Sequence, residues 1–180
     1  MTTPAQRREA RQTLDRLVAD DRISLRRPPL PRHAKEVAVA LMAADAYLAE
    51  GSRDSFLAAA QFGNLYTACI DAANGLVEAY GYVSRGEGGH ESVLLAAGVL
   101  LAVTDPAAAQ LVAEVRNWMR PLRHAGTYED LAAVTAADVA HARELAAALV
   151  GAVRREVCAV MGLDPDDTVW HPPDPRAAGS

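Results

Sequence analysis

Between Ala58 and Tyr80 the apolar residues Ala59, Phe62, Tyr66, Cys69, Ala73, Leu76 and Tyr80 recur at steps of three and four. That spacing puts them on one stripe of an α-helix and on no single face of a strand. A stripe of this length is buried only by packing against further helices. Composition supports the same class, since apolar residues are 51% of the chain and aromatics 5%. Alanine and leucine, both strong helix formers, dominate the apolar part. The 180 residues are therefore expected to form one all-α domain of about five to six helices.

Local signals divide the chain. Thr3-Pro4-Ala5-Gln6 is a capping box with proline in the first turn, so a helix starts there and runs to about Asp20. Arg26-Arg27-Pro28-Pro29-Leu30-Pro31 breaks it and reads as a linker or a wrapped arm. Residues 1–31 form this leading segment, 32–162 the bundle, and 163–180 a tail rich in proline and aspartate. The tail is read as disordered unless Trp170 docks on the core.

Within the bundle, Val37 to Leu48 form a second helical stripe that Gly51 closes as a C-terminal cap, and Ser52 or Asp54 can cap the helix after it. A glycine-rich loop from Tyr82 to Gly89 precedes a helix from about His90 to Ala102 that is apolar on nearly all sides and so reads as central. Another helix begins at Pro106 and is expected to end or kink at Pro121. Thr135 caps a last helix, which Gly162 closes.

A net charge of −5 argues against broad adhesion to nucleic acid and leaves room only for a local basic patch. Seventeen arginines stand against one lysine, Lys35, and most are expected to be solvated. Cys69 and Cys158 form no CxxC pair and read as reduced core thiols. No metal site or cofactor is expected. The beginning of the chain lacks an apolar signal core, and Val93 to Val103 is too short to span a bilayer. A cytoplasmic protein without membrane contact is the expectation.

The residues with chemistry are concentrated in Arg123-His124-Ala125-Gly126-Thr127-Tyr128, preceded by Arg116 and Arg120. Together with the strings Ala58 to Tyr66, Ala79-Tyr80-Gly81-Tyr82 and Arg85-Gly86-Glu87-Gly88-Gly89-His90 and the Thr135 helix, this hexad resembles the HEPN family, the higher eukaryote and prokaryote nucleotide-binding domains. The resemblance covers roughly Ala34 to Gly162. It implies an antiparallel helical bundle, a homodimer whose motif segments face each other, and RNA or a nucleotide as ligand. Many members are metal-independent ribonucleases, often toxins paired with a nucleotidyltransferase-type antitoxin, and others bind without catalysis.

By the same resemblance Arg123, His124 and Tyr128 occupy the catalytic positions, with tyrosine where histidine is expected. A phenol with a reference pKa of about 10 is ionised in about one molecule in a thousand at pH 7, which makes it a poor base. Arg123 stays charged and can bridge two phosphate oxygens.

Arg116, Arg120 and Arg123 follow an i, i+4, i+7 pattern. Either they form a phosphate track, or they complement a helix C-terminus and stay in water. Asn64, Thr67, Asp71, Asn74 and Glu78 form a polar line that either borders the cleft, with Asp71 orienting Arg123, or faces solvent. His90 reads as a packing or capping residue. The glycine-rich loop lacks the Lys-Ser/Thr of a P-loop and is not an NTP site. Three functions remain open: an endoribonuclease, a non-catalytic dimerisation or adaptor module, and a bundle whose apolar Val93 to Val103 helix builds an oligomer core.

Overall fold

Small side chains on the stripe of residues 58–80 let neighbouring helices approach it from several sides. The computed structural model describes residues 3–28, 34–53, 57–84, 89–126 and 133–164. These form an all-α bundle of α1 (Pro4–Ala19), α2 (Ala34–Gly51), α3 (Ala58–Ala79), α4 (Gly89–Thr104), α5 (Pro106–Glu114), α6 (Arg120–His124) and α7 (Ala136–Met161). Two short strands, β1 (Leu25–Arg26) and β2 (Val83–Ser84), pair antiparallel with Leu25 opposite Ser84. Tyr128 and every residue from 165 onward, Trp170 included, lie outside the described residues.

The centre of the bundle is α3, where α4 was expected. It packs on α2, α4 and α7, and Phe62, Leu65, Ala68, Ala72, Ala73 and Leu76 have no exposed surface. The reason is side-chain size: a Cβ on Gly75 would stand 3.3 Å from the Leu41 side chain, so glycine lets α2 come close. α4 buries Val93, Leu94, Ala97 and Leu101 but leaves Ala102 exposed. Cys69 and Cys158 are both free and buried, and burial pushes the Cys69 thiol up to about 12. No helix among the described residues is long and apolar enough to cross a membrane.

The caps at the two ends of the chain form as the sequence indicates. Thr3 and Gln6 complete a capping box, Thr135 and Asp138 another, and Gly162 ends α7 at φ 70°. α1 has few apolar residues, yet Ala10 and Leu14 are wholly buried against the bundle, where α1 packs on α4. The segment after it wraps onto the bundle. Ser24 donates its backbone N–H to Ser92 Oγ at 2.9 Å. Arg27 and Tyr82 both donate to Asp15. Burial works against the Asp15 carboxylate, but these hydrogen bonds outweigh it and hold its pKa below the usual range.

Two local expectations are corrected. Ser52 does not cap α3, because its hydroxyl turns back to the Leu48 carbonyl at 2.8 Å, and the N-cap position is Leu57. Gly51 is no left-handed cap. It is the last residue of α2 and lies against α3, where a Cβ would stand 2.8 Å from Leu65 Cγ and 2.9 Å from the Gln61 carbonyl oxygen. One contact is backbone, so α3 itself would have to shift. Gly51→Ala is expected to cost about 1–3 kcal/mol, measured as a lowered urea midpoint with an unchanged m-value.

Candidate functional site

Pro121 neither ends nor sharply breaks its helix. Proline has no N–H, and its ring clashes with the carbonyl four residues back, which here belongs to Asn117. The backbone meets this with a π-helical turn over Val115–Met119, in which the Arg120 N–H reaches the Val115 carbonyl. α6 then continues to His124. The wide turn brings Arg116 and Arg120 onto one carboxylate: Arg116 Nε donates to Glu91 Oε1 at 2.5 Å and Arg120 Nη1 to Oε2 at 2.7 Å. Glu91 is in the first turn of α4, so the pair ties α6 to that helix start.

Between these elements lies a hollow of about 540 Å³. Tyr66 and Asn74 line it from α3, Ser84 from β2, His90 and Glu91 from α4, and Arg120, Arg123 and His124 from α6. Arg123 has the most unusual surroundings. Its guanidinium carbon sits 5.2 Å over the Tyr66 ring, a cation–π distance. Its Nε is buried with no hydrogen-bond partner, as are those of Arg143 and Arg154, and no carboxylate pairs with it among the described residues. Arg123 itself lines the hollow, and a guanidinium there can meet an anion through its terminal nitrogens.

The two histidines stand at the rim. The His90 ring is 6.1 Å from that of Tyr66; His90 is exposed at the rim, and partial desolvation, then the charges of Arg123 and Arg120, lower its pKa below the ordinary 6.5. The imidazole is therefore neutral at pH 7 and able to take a proton. Tyr66 moves the opposite way: burial raises its pKa, and Arg123 and Arg120 offset only part of that. It stays a phenol.

Of the residues singled out from sequence, Arg120, Arg123 and His124 come together here. Arg116 contributes through Glu91 and does not line the hollow. Asp71 does not orient Arg123. It lines an adjoining hollow of about 480 Å³ with Lys35, Val39 and Glu78, and burial raises its pKa. Tyr66 takes the guanidinium instead. Asn64 also stays away, because ten residues separate it from Asn74, about 15 Å along a helix, and only Asn74 borders the site. Trp118 packs edge-on against Phe62 at 5.5 Å and lies 4.7 Å from the His141 ring, which makes it a packing residue. Tyr128 lies outside the described residues.

His90, Glu91 and Tyr66 are site residues that the sequence left as packing, unremarked and stripe residues. The pairing of a histidine and a glutamate at a helix start was the available signal. Among the described residues no three His, Cys, Asp or Glu side chains gather as a metal site. No family model, curated protein or solved structure matches the chain.

Proton NMR of the His90 ring is expected to give a titration midpoint below 6.5. Replacing Arg123 by Met takes away a neighbouring positive charge, so the midpoint is expected to rise. An unchanged midpoint in that variant places the guanidinium away from the ring.

Proposed function

We propose that this chain is a HEPN-like protein that binds single-stranded RNA, or a nucleotide, by one phosphate held in the hollow between α3, α4 and α6. The observation that supports it most is Arg123, a guanidinium over Tyr66 with a buried, unpartnered Nε. The terminal nitrogens of such a guanidinium can bridge phosphate oxygens. Arg120 is the second contact. It is half-exposed, and its pair with Glu91 belongs to the class worth about 0–1 kcal/mol, so a phosphate competes for it readily.

The ligand is small in electrostatic terms. A net charge of −5 and the pairing of Arg116 and Arg120 with Glu91, which offsets one of their two charges, argue against a long basic track for a duplex. The homodimer with facing motif segments and the nucleotidyltransferase-type partner belong to the same proposal and rest on the resembling strings alone.

Fluorescence anisotropy with a labelled single-stranded oligoribonucleotide of about ten nucleotides tests the reading. One or two phosphate contacts give a log–log salt slope of about −0.7 to −1.4. Arg123→Ala is expected to weaken binding about 10-fold or more, and Arg8→Ala, on the exposed face of α1, to leave it unchanged. Equal affinity of the Arg123 variant and the parent overturns the assignment, as does absence of binding at low salt.

A further inference from the structure

Building on the reading of the hollow between α3, α4 and α6 as a phosphate site, we infer that the adjoining hollow between α2 and α3 receives the base attached to that phosphate and selects guanine, whose paired N–H groups the Asp71 carboxylate accepts. The two hollows form one path. Asn74 and Ser84 line both, so a ligand with its phosphate at Arg123 passes these two side chains before it reaches Asp71. Asp71 stands three residues before Asn74, about 4.5 Å along the axis of α3.

The path exists because α3, though central, is not covered all round. Between Gln61 and Val77 its half-buried positions are Gly63, Asn64, Thr67, Asp71 and Asn74, and every other residue in that span is buried. Steps of three and four put Asn64, Thr67, Asp71 and Asn74 on one line, which is the seam left open by the neighbouring helices. Thr67 turns its hydroxyl to the Gly63 carbonyl at 2.9 Å, which leaves Asp71 and Asn74 to meet a ligand.

The second hollow differs in chemistry from the first. Glu36, Asp71 and Glu78 stand against Lys35, a balance that repels a second phosphate. Its α2 wall carries Val39, Ala40 and Ala43, apolar surface on which a flat base can lie. Burial is the cause that acts on the Asp71 pKa, and it raises it; no donor or cation offsets that effect among the described residues, so both carboxylate oxygens are open to a ligand. An ionised carboxylate accepts and does not donate. Guanine sets two donors, N1–H and the N2 amino group, side by side on its Watson–Crick edge, and two oxygens take them together. Adenine, cytosine and uracil each set an acceptor beside the donor on that edge, and it faces a carboxylate oxygen unfavourably.

The test uses the full chain and labelled uridine tetranucleotides in which one position is guanosine, inosine or adenosine, with binding followed by fluorescence anisotropy. The parent is expected to hold the guanosine strand about 10-fold tighter than the adenosine strand. Inosine, which lacks the N2 amino group, is expected in between, and that comparison needs no substitution. Asp71→Asn keeps the side chain's shape but sets an amide donor against a guanine donor, so the guanosine preference is expected to fall to about twofold or less. The substitution removes a charge that burial disfavours, so the variant should melt no lower than the parent. If the parent binds the strands equally, or Asp71→Asn keeps the full preference, the inference falls and the phosphate site stands. If the parent binds no strand at low salt, the phosphate reading falls and takes the inference with it.

Discussion

A proline inside a helix is the constraint from which the site follows. Pro121 cannot donate to the carbonyl of Asn117, and an unrelieved α-helix would press its ring against that oxygen. The π-turn over Val115–Met119 widens the helix just before the proline and keeps it running, which a break would not do. Arg116 and Arg120 meet the two oxygens of Glu91, and Arg123 reaches the face of Tyr66. π-Turns are rare and concentrate at functional positions. Here the turn links a helix end to the first turn of α4 and encloses the hollow between them.

The arginines on this face have different electrostatic roles. Arg116 is committed to Glu91 and anchors the π-turn. Arg120 shares the same carboxylate while bordering the hollow, so its pairing is exchangeable. Arg123 has an aromatic ring beneath it and a buried donor without an acceptor. Unpartnered buried Nε atoms occur also at Arg143 and Arg154, so what sets Arg123 apart is its place over Tyr66 at the hollow.

Much of the fold was legible in the sequence because its signals are local. The capping box at Thr3, the N-cap at Thr135, the closing Gly162 and the three- and four-residue stripe of α3 depend on neighbours within one or two turns, and the structure contains each. Gly51 was misread for the opposite reason: its glycine is required by Leu65 and Gln61, which lie on another helix. The strand pair of Leu25–Arg26 with Val83–Ser84 involves two residues on each side, too few for a period. At the site, Arg123 and His124 stood out by type and spacing, whereas His90 and Glu91 acquire meaning only when the bundle brings the start of α4 to α6.

The central claim is that Arg123 receives a phosphate oxygen in this hollow. The most direct measurement follows the arginine side-chain N–H resonances while a 2′-O-methyl oligonucleotide is added. The account predicts a saturable shift at Arg123 Nε, accompanied by Arg120, with Arg8 on α1 unmoved. A titration that shifts distant arginines and leaves Arg123 in place would contradict it.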